Sequence, residues 1–406
     1  MSLVPTWSWA GWLARTGANV RGELRQRQNL SRTESGRASR RRVLRSESPR
    51  RRILPTPPTP SIPIHFPFAE FAGTPYDLGL QHGQRFRDLV RLQLAETMQG
   101  AADSGLSAAA ALAWTRQQQP AVEAITPHWI DELQGLAQGA GIRFEEALAL
   151  QLRPGAGGLP EGCTSFAAVG SATTDGHTIC GQNRDLGEPY LHRMFLAAFR
   201  PSHGPHILMH CVPGEIGGVG LNSEGVAIFA NSLWGKSGRT WMAPPILRRA
   251  ALEADSAEAA TQRIRAMHGP AVGNFLVADT RRARNLEILA EGVHVTEVDD
   301  GVYAHANNCT ASILLPHEAE RRPLPYSEGR RVSLQAALEQ RAGSIDTDVC
   351  RQLLSDESGR PEPVCRPFRS GDPFATIAAL IAVPHTQTLH LSHGPPSNNH
   401  FTTYRL

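Results

Sequence analysis

The sequence predicts an α+β fold in which stacked sheets are covered by helices. Three observations carry that expectation. Apolar spacing before Cys163 follows the period of helices, whereas after Cys163 it follows the period of strands. Helical spacing then returns in two blocks, between and behind the strand blocks, so helices stand ready to cover the sheets.

Residues 1–60 precede the globular part. Arg40-Arg41-Arg42 and Arg50-Arg51-Arg52 lie among serines with few large apolar residues, and Pro55 to Pro63 is proline-rich. Such a stretch buries too little surface to offset its ordering entropy, so a disordered arm and an extended linker are expected. The domain is expected over 61–406. A basic arm can touch nucleic acid or anionic lipid, but a solvated tail, or an N-terminal extension from an early start codon, is the favoured reading, and nucleic acid is not the expected partner. Trp7, Trp9 and Trp12 have no basic region and apolar run arranged as in a secretory leader, and no 18-residue apolar run occurs. A cytoplasmic protein without a membrane span is expected.

In the first part of the domain, Phe86, Leu89, Val90, Leu92 and Leu94 have helical spacing. Ala108 to Ala113 is alanine-rich, and Ile130 to Ala137 is amphipathic and runs into Gly139-Ala140-Gly141, a glycine stop. Phe144 to Leu152 is one more helix. Strands are expected at Thr164 to Val169 and Thr178 to Gly181 around the Asp175-Gly176 turn. Further strands are expected at His206 to Val212 and Val226 to Ala230. The glycine-rich run Gly214 to Gly220 lacks the order of a phosphate loop and reads as punctuation between strands. Helices follow at Pro245 to Ala254 and Ala257 to Met267, then strands at Asn274 to Asp279, Asn285 to Leu289, His294 to Val298 and Val302 to His305. Late helices fit Arg330 to Gln340 and Asp346 to Leu354; late strands fit Ala375 to Val383, Thr388 to Leu391 and Phe401 to Leu406.

Between the helical and strand-rich parts lies Glu161-Gly162-Cys163-Thr164-Ser165-Phe166. A cysteine thiolate is a strong nucleophile even when sparsely ionised. Gly162 leaves the preceding carbonyl open to attack. An N-to-S acyl shift and hydrolysis at Gly162-Cys163 would free an α-amine on Cys163, with a pKa of about 7.7–8.0, low enough for a general base. Thiol and base would then share one residue. Taken alone, a Gly-Cys pair reads first as a buried small hydrophobe, and the stretches described below reverse that preference. The six cysteines are scattered without a Cys-x-x-Cys pair, so neither a disulfide framework nor a zinc site is expected. His305 and Cys309 are four apart but fall in strand and loop, and no metal is assigned to them.

The chain from about Gly73 to Leu406 resembles the acyl-coenzyme A:6-aminopenicillanic acid acyltransferase family, the C45 peptidases, among the N-terminal-nucleophile hydrolases. The resemblance rests on the order of several stretches. These are Tyr76-Asp77-Leu78-Gly79 with His82-Gly83, Glu132 to Gly141, Gly162-Cys163-Thr164, Gly181-Gln182-Asn183-Arg184-Asp185, Ile216-Gly217 with Gly220 to Val226, Asn274 to Asp279, His305-Ala306-Asn307 and Gly394-Pro395-Pro396. It implies a four-layer αββα sandwich and self-cleavage into a helical chain, 61–162, and a catalytic chain, 163–406, that stay associated. It implies Cys163 as nucleophile and base, Asp185 orienting the freed amine, and Asn307 as oxyanion donor. Asn231 is a candidate substrate-amide ligand, with a turn asparagine as the alternative. Two departures stand out: Ala306 and Asn308 replace the family's threonine and second histidine. The family's Ser-Arg pair before the Ala-Thr strand is also missing, since Gly371-Asp372-Pro373-Phe374 precedes Ala375-Thr376 and neither Arg366 nor Arg369 is in register.

The expected activity is that of a cysteine amidohydrolase or acyltransferase on N-acyl compounds, with no cofactor and acyl-CoA as a possible acyl donor. An acyl-CoA-dependent N-acyltransferase and an inactive binding relative are the alternatives.

Overall fold

The computed structural model describes residues 65–155, 162–236, 244–267, 272–319, 327–359, 362–369, 372 and 374–406. The expected arm and linker at 1–60, Glu161, Gly371 and Pro373 lie outside the described residues.

The chain opens with a strand, β1 (Phe68–Gly73), and five helices follow: α1 (Pro75–Arg85), α2 (Arg87–Asp103), α3 (Ala108–Ile125), α4 (Pro127–Ala140) and α5 (Phe144–Leu152). Thr74 caps α1 through a capping box with Asp77. Gly141 ends α4 in the left-handed conformation, φ 65°, the stop expected there. α1 and α4 pack backbone to backbone. A Cβ on Gly79 would stand 1.8 Å from the Glu132 carbonyl oxygen, and one on Gly135 2.0 Å from that of Tyr76. Those approaches explain why glycine recurs in both segments.

The strands that follow are β2 (Thr164–Val169), β3 (Ile179–Leu186), β4 (Phe195–Pro201), β5 (Ile207–Cys211), β6 (Val219–Asn222) and β7 (Ala227–Asn231). Helices α6 (Pro244–Leu252) and α7 (Ala257–Met267) precede β8 (Gly273–Ala278), β9 (Ala283–Leu289), β10 (Gly292–Val298) and β11 (Gly301–His305). Helices α8 (Ser327–Gln340) and α9 (Thr347–Leu354), then β12 (Ala375–Val383), β13 (Thr388–His393) and β14 (Phe401–Arg405), complete the described chain.

Among the described residues the strands form two sheets. The larger runs β1-β4-β5-β6-β7-β8-β9-β10 and the smaller β11-β2-β3-β12-β13-β14. All pairings are antiparallel except β1 with β4. Alternation along β2 displays the layering. Ala167 and Val169 join the core shared with the larger sheet, whereas Phe166 and Ala168 pack with Leu334 and Leu338 of α8 and Leu354 of α9. β2 is buried on both faces because one face meets a sheet and the other meets helices. Helices α1, α6 and α7 border the larger sheet, α2–α5 pack on other helices of that layer, and α8–α9 border the smaller sheet, which is the expected αββα order.

Several sequence expectations change. β1 stands in a region expected to be helical, and β4 and β6 have no counterpart among the expected strands. β1 pairs with β4 across more than a hundred residues, so its partner is invisible in local pattern. In β6, Gly220 sits close to the neighbouring strand: a Cβ there would lie 2.1 Å from the Leu208 carbonyl oxygen. That glycine permits close strand approach within a sheet instead of interrupting one.

Candidate active site

Cys163 stands immediately before β2 and is fully buried. The backbone N–H of Gly162 donates to the Asp185 carbonyl oxygen at 2.8 Å, which fixes the Gly162-Cys163 pair against the end of β3. Asp185 is buried, and its Oδ1 accepts from Thr376 Oγ1 at 2.7 Å while Oδ2 has no partner among the described residues. Burial raises the Asp185 pKa to about 6, against the opposing pull of Arg330, Arg366 and the Thr376 hydroxyl.

Asn307 lies in the loop after β11. Its Nδ2 donates to the Ser232 carbonyl at 3.0 Å, and its Oδ1 accepts from Arg330 Nη2 at 2.8 Å. Asn231, at the end of β7, accepts from Ser165 Oγ at 2.7 Å through Oδ1, and its Nδ2 has no partner among the described residues. Through these contacts Gly162, Asp185, Asn231 and Asn307 all gather round the start of β2.

Glu287 of β9 holds the Asn307 loop. It accepts from His305 Nε2 at 2.8 Å, from Thr310 N at 2.7 Å and from Ala311 N at 3.0 Å. Burial works against its charge, but the bonds from His305, Thr310 and Ala311 prevail and bring its pKa down to about 2. Asn308 accepts from Ser327 Oγ at 3.3 Å, which ties the same loop to the first residue of α8. His305 is therefore engaged by a carboxylate, and no group of three or more metal-ligating side chains is found among the described residues. All six cysteines are free thiols.

Sequence reasoning missed Arg330. It sits on α8, fully buried, with Nε donating to Thr164 Oγ1 at 3.0 Å and Nη1 bound to Glu362, besides its bond to Asn307. Its neighbour Arg331 and the flanking Ser327-Glu328-Gly329 give it the look of a solvated helix face, so no local signal marks it. Arg366, left unplaced by register, does reach the site: its backbone N–H donates to Thr376 Oγ1 at 2.9 Å, and its guanidinium binds Asp372 at 3.0 Å. Arg369 is exposed.

The family model described as acyl-coenzyme A:6-aminopenicillanic acid acyl-transferase matches residues 172–398, more than half of the chain. The chain belongs to that family. The matched stretch holds Asp185, Asn231, Asn307, Arg330 and Arg366, whereas Gly162 and Cys163 precede it. A relative from Emericella nidulans, acyl-coenzyme A:6-aminopenicillanic-acid-acyltransferase 40 kDa form, is 29% identical over 249 residues, covering 60% of this chain and 69% of that protein. Among solved structures, a mutant of conjugated bile acid hydrolase from Clostridium perfringens matches with TM-score 0.40 at 12% identity, covering 60% of this chain and 97% of that one. Penicillin V acylase from Agrobacterium tumefaciens matches with TM-score 0.38 at 11% identity, covering 57% and 83%. No helix among the described residues of this family member is long and apolar enough to cross a membrane.

Proposed function

We propose that the protein is a self-processing cysteine amidohydrolase or acyltransferase that acts on the C–N bond of N-acyl compounds through a thioester on Cys163. The observation that carries this reading is the Gly162–Asp185 contact. It ties Gly162 to the main chain of Asp185, the residue whose buried carboxylate has an Oδ2 unpartnered among the described residues, and that carboxylate is the proposed partner of the α-ammonium that cleavage would release.

Maturation begins when the Cys163 thiolate attacks the Gly162 carbonyl carbon; the peptide nitrogen leaves as the α-amine of Cys163, and water hydrolyses the resulting thioester. An ammonium beside Asp185 would favour the carboxylate and pull its pKa below the value of about 6 that burial imposes. In turnover the neutral amine takes the thiol proton and the thiolate attacks the substrate carbonyl. The leaving amine collects the proton. Asn307 Nδ2, which bonds the Ser232 carbonyl at 3.0 Å, is the proposed donor to the oxyanion. The acyl-thioester passes to water or to an amine, giving ping-pong kinetics. Membership of a family named for acyl transfer from coenzyme A makes acyl-CoA a second acyl source to test. Asn231, across from Ser165, is the proposed ligand for the substrate amide.

Intact mass of the purified wild type beside Cys163→Ala tests the reading. Two fragments in the wild type, the larger beginning at Cys163, with one uncut chain in the variant, are expected. A single uncut wild-type chain would overturn it.

A further inference from the structure

We propose that Arg330 is a positioning residue for this reaction, fixing the Asn307 carboxamide in its donating orientation and tying it to the strand that follows the nucleophile. The assignment rests on the function proposed above. Arg330 spends its fork on three elements at once: Thr164 Oγ1 on β2, Asn307 Oδ1 in the loop after β11, and Glu362. A planar guanidinium with donors at fixed angles can span such a set; an ammonium on a flexible stem cannot.

The bond to Asn307 Oδ1 decides which way the amide lies. With its oxygen held by a cation, Asn307 turns its nitrogen toward Ser232 and presents donors on that side. Without Arg330, a rotation of the amide plane by half a turn would present an oxygen where negative charge develops. A hydrogen bond from a cation to the amide oxygen also polarises the amide and strengthens its N–H as a donor. The hydroxyl of Thr164, one residue after Cys163, is held by the same guanidinium, so nucleophile strand and oxyanion donor keep one spacing.

Arg330 also sets the local field. The charged or titratable groups around Asp185 are Arg330 on α8, Arg366 and Glu362 from the segment before β12, Asp372 on Arg366, and the Cys365 thiol, which burial pushes up to about 11 and keeps neutral. Cys163 lies within electrostatic reach of Arg330 as well. Losing the guanidinium removes one of the two cations that support the Asp185 carboxylate.

Purified precursors of wild type, Arg330→Lys and Arg330→Gln are compared for self-cleavage rate against pH, for steady-state kinetics once cut, and for melting temperature. Both variants are expected to slow kcat about 10–100-fold, the size typical for supporting residues behind a reacting group, with KM changed much less. Self-cleavage is proposed to need the Asp185 carboxylate ionised, so in Arg330→Gln the acid limb of its profile is expected to move up by about one pH unit, because a carboxylate losing a cationic neighbour titrates higher. Arg330→Lys, which keeps the charge, is expected to hold that limb nearer wild type while still losing kcat. A folded Arg330→Lys with wild-type kcat overturns the assignment, and so do variants that only melt earlier with an unmoved acid limb. Should Arg330→Gln fail to fold, Arg330→Lys alone decides. An uncut wild-type chain would instead remove the underlying function, and the assignment with it, whereas a self-cleaving wild type beside indifferent variants removes the role of Arg330 alone.

Discussion

Two buried arginines lie in opposite helical layers, and their surroundings differ. Arg249 of α6, over the larger sheet, grips both oxygens of Glu132 on α4 at 3.0 and 2.7 Å and bonds Glu253 at 2.7 Å. Burial opposes its charge, yet the two carboxylates hold its pKa above the ordinary arginine range. Arg330 of α8, over the smaller sheet, has a hydroxyl, an amide and a single carboxylate as direct partners. Burial lowers its pKa, and Asp185 and Glu362 only partly offset that cost. Two carboxylates on one guanidinium make an ion-paired tie between helices, which serves the fold. A guanidinium with one carboxylate and two neutral partners spends the rest of its donors on placing a hydroxyl and an amide, which the proposed chemistry uses. The same residue type at the same burial therefore does different work, according to the charge its partners return.

Breaking the structural tie should cost the most. Glu132→Ala leaves buried Arg249 with Glu253 as its one carboxylate beside the Ile216 carbonyl, and removal of one partner from a buried pair typically costs about 3–5 kcal/mol. Urea unfolding should show a lower midpoint whose shift, multiplied by the slope m, is of that size; an unchanged midpoint would mean that Arg249 is not held by charge. On the other side of the molecule, Asn307→Ala should leave the melting temperature near wild type but lower kcat by roughly 2.7–4 kcal/mol of transition-state stabilisation, the worth of one oxyanion donor. A large melting shift with intact kcat would reverse the contrast and make the Asn307 loop a structural element.

The glycine contacts between α1 and α4 sharpen the same contrast without charge. In Gly135→Ala the new methyl would meet the Tyr76 carbonyl oxygen, and backbone cannot rotate away as a side chain can. Overpacking of this sort costs about 1–3 kcal/mol. The variant should unfold at lower urea, while any fraction that matures keeps its kcat. A loss of kcat at unchanged stability would show that the helical layer over the larger sheet reaches the chemistry.

How far the sequence disclosed these features follows from their range. α5, β2 and β12 match their expected bounds because apolar periodicity is local, and Gly141 ends α4 because a left-handed cap is a single-residue property. Asp185 and Asn307 fall in the ordered stretches and Asn231 at the end of an expected strand, and the structure adds their geometry. β1 escaped because its parallel partner is distant in sequence. Arg330 escaped for a related reason: what makes it different from Arg331 is the company of Thr164, Asn307 and Glu362, and none of those is near it in the chain.

The smallest expected effect is a pH dependence of stability on the structural side. His82 of α1 is buried among Phe71, Phe195 and Phe199, and its Nε2 accepts from Gly214 N at 3.1 Å. Burial, with Arg249 as a second cause, lowers its pKa from 6.5 to about 3. Between those values the unfolded chain binds a proton that the folded chain does not. Stability is therefore full above the unfolded pKa and falls as pH drops toward the folded one, by about 1.4 kcal/mol per pH unit for this one group. Asp185 acts in the opposite sense, since its raised pKa contributes stability that is present below 3.8 and lost as pH rises through about 6. Comparing wild type with His82→Gln at about pH 7.5 and 5.5 cancels Asp185 and the other groups common to both chains. The variant is expected to be less stable at the higher pH, where it loses the ring packing, and to lose less on acidification. Equal losses in the two chains would mean that His82 takes up its proton inside the folded protein, and that the layer holding Arg249 is open enough to solvate a second cation.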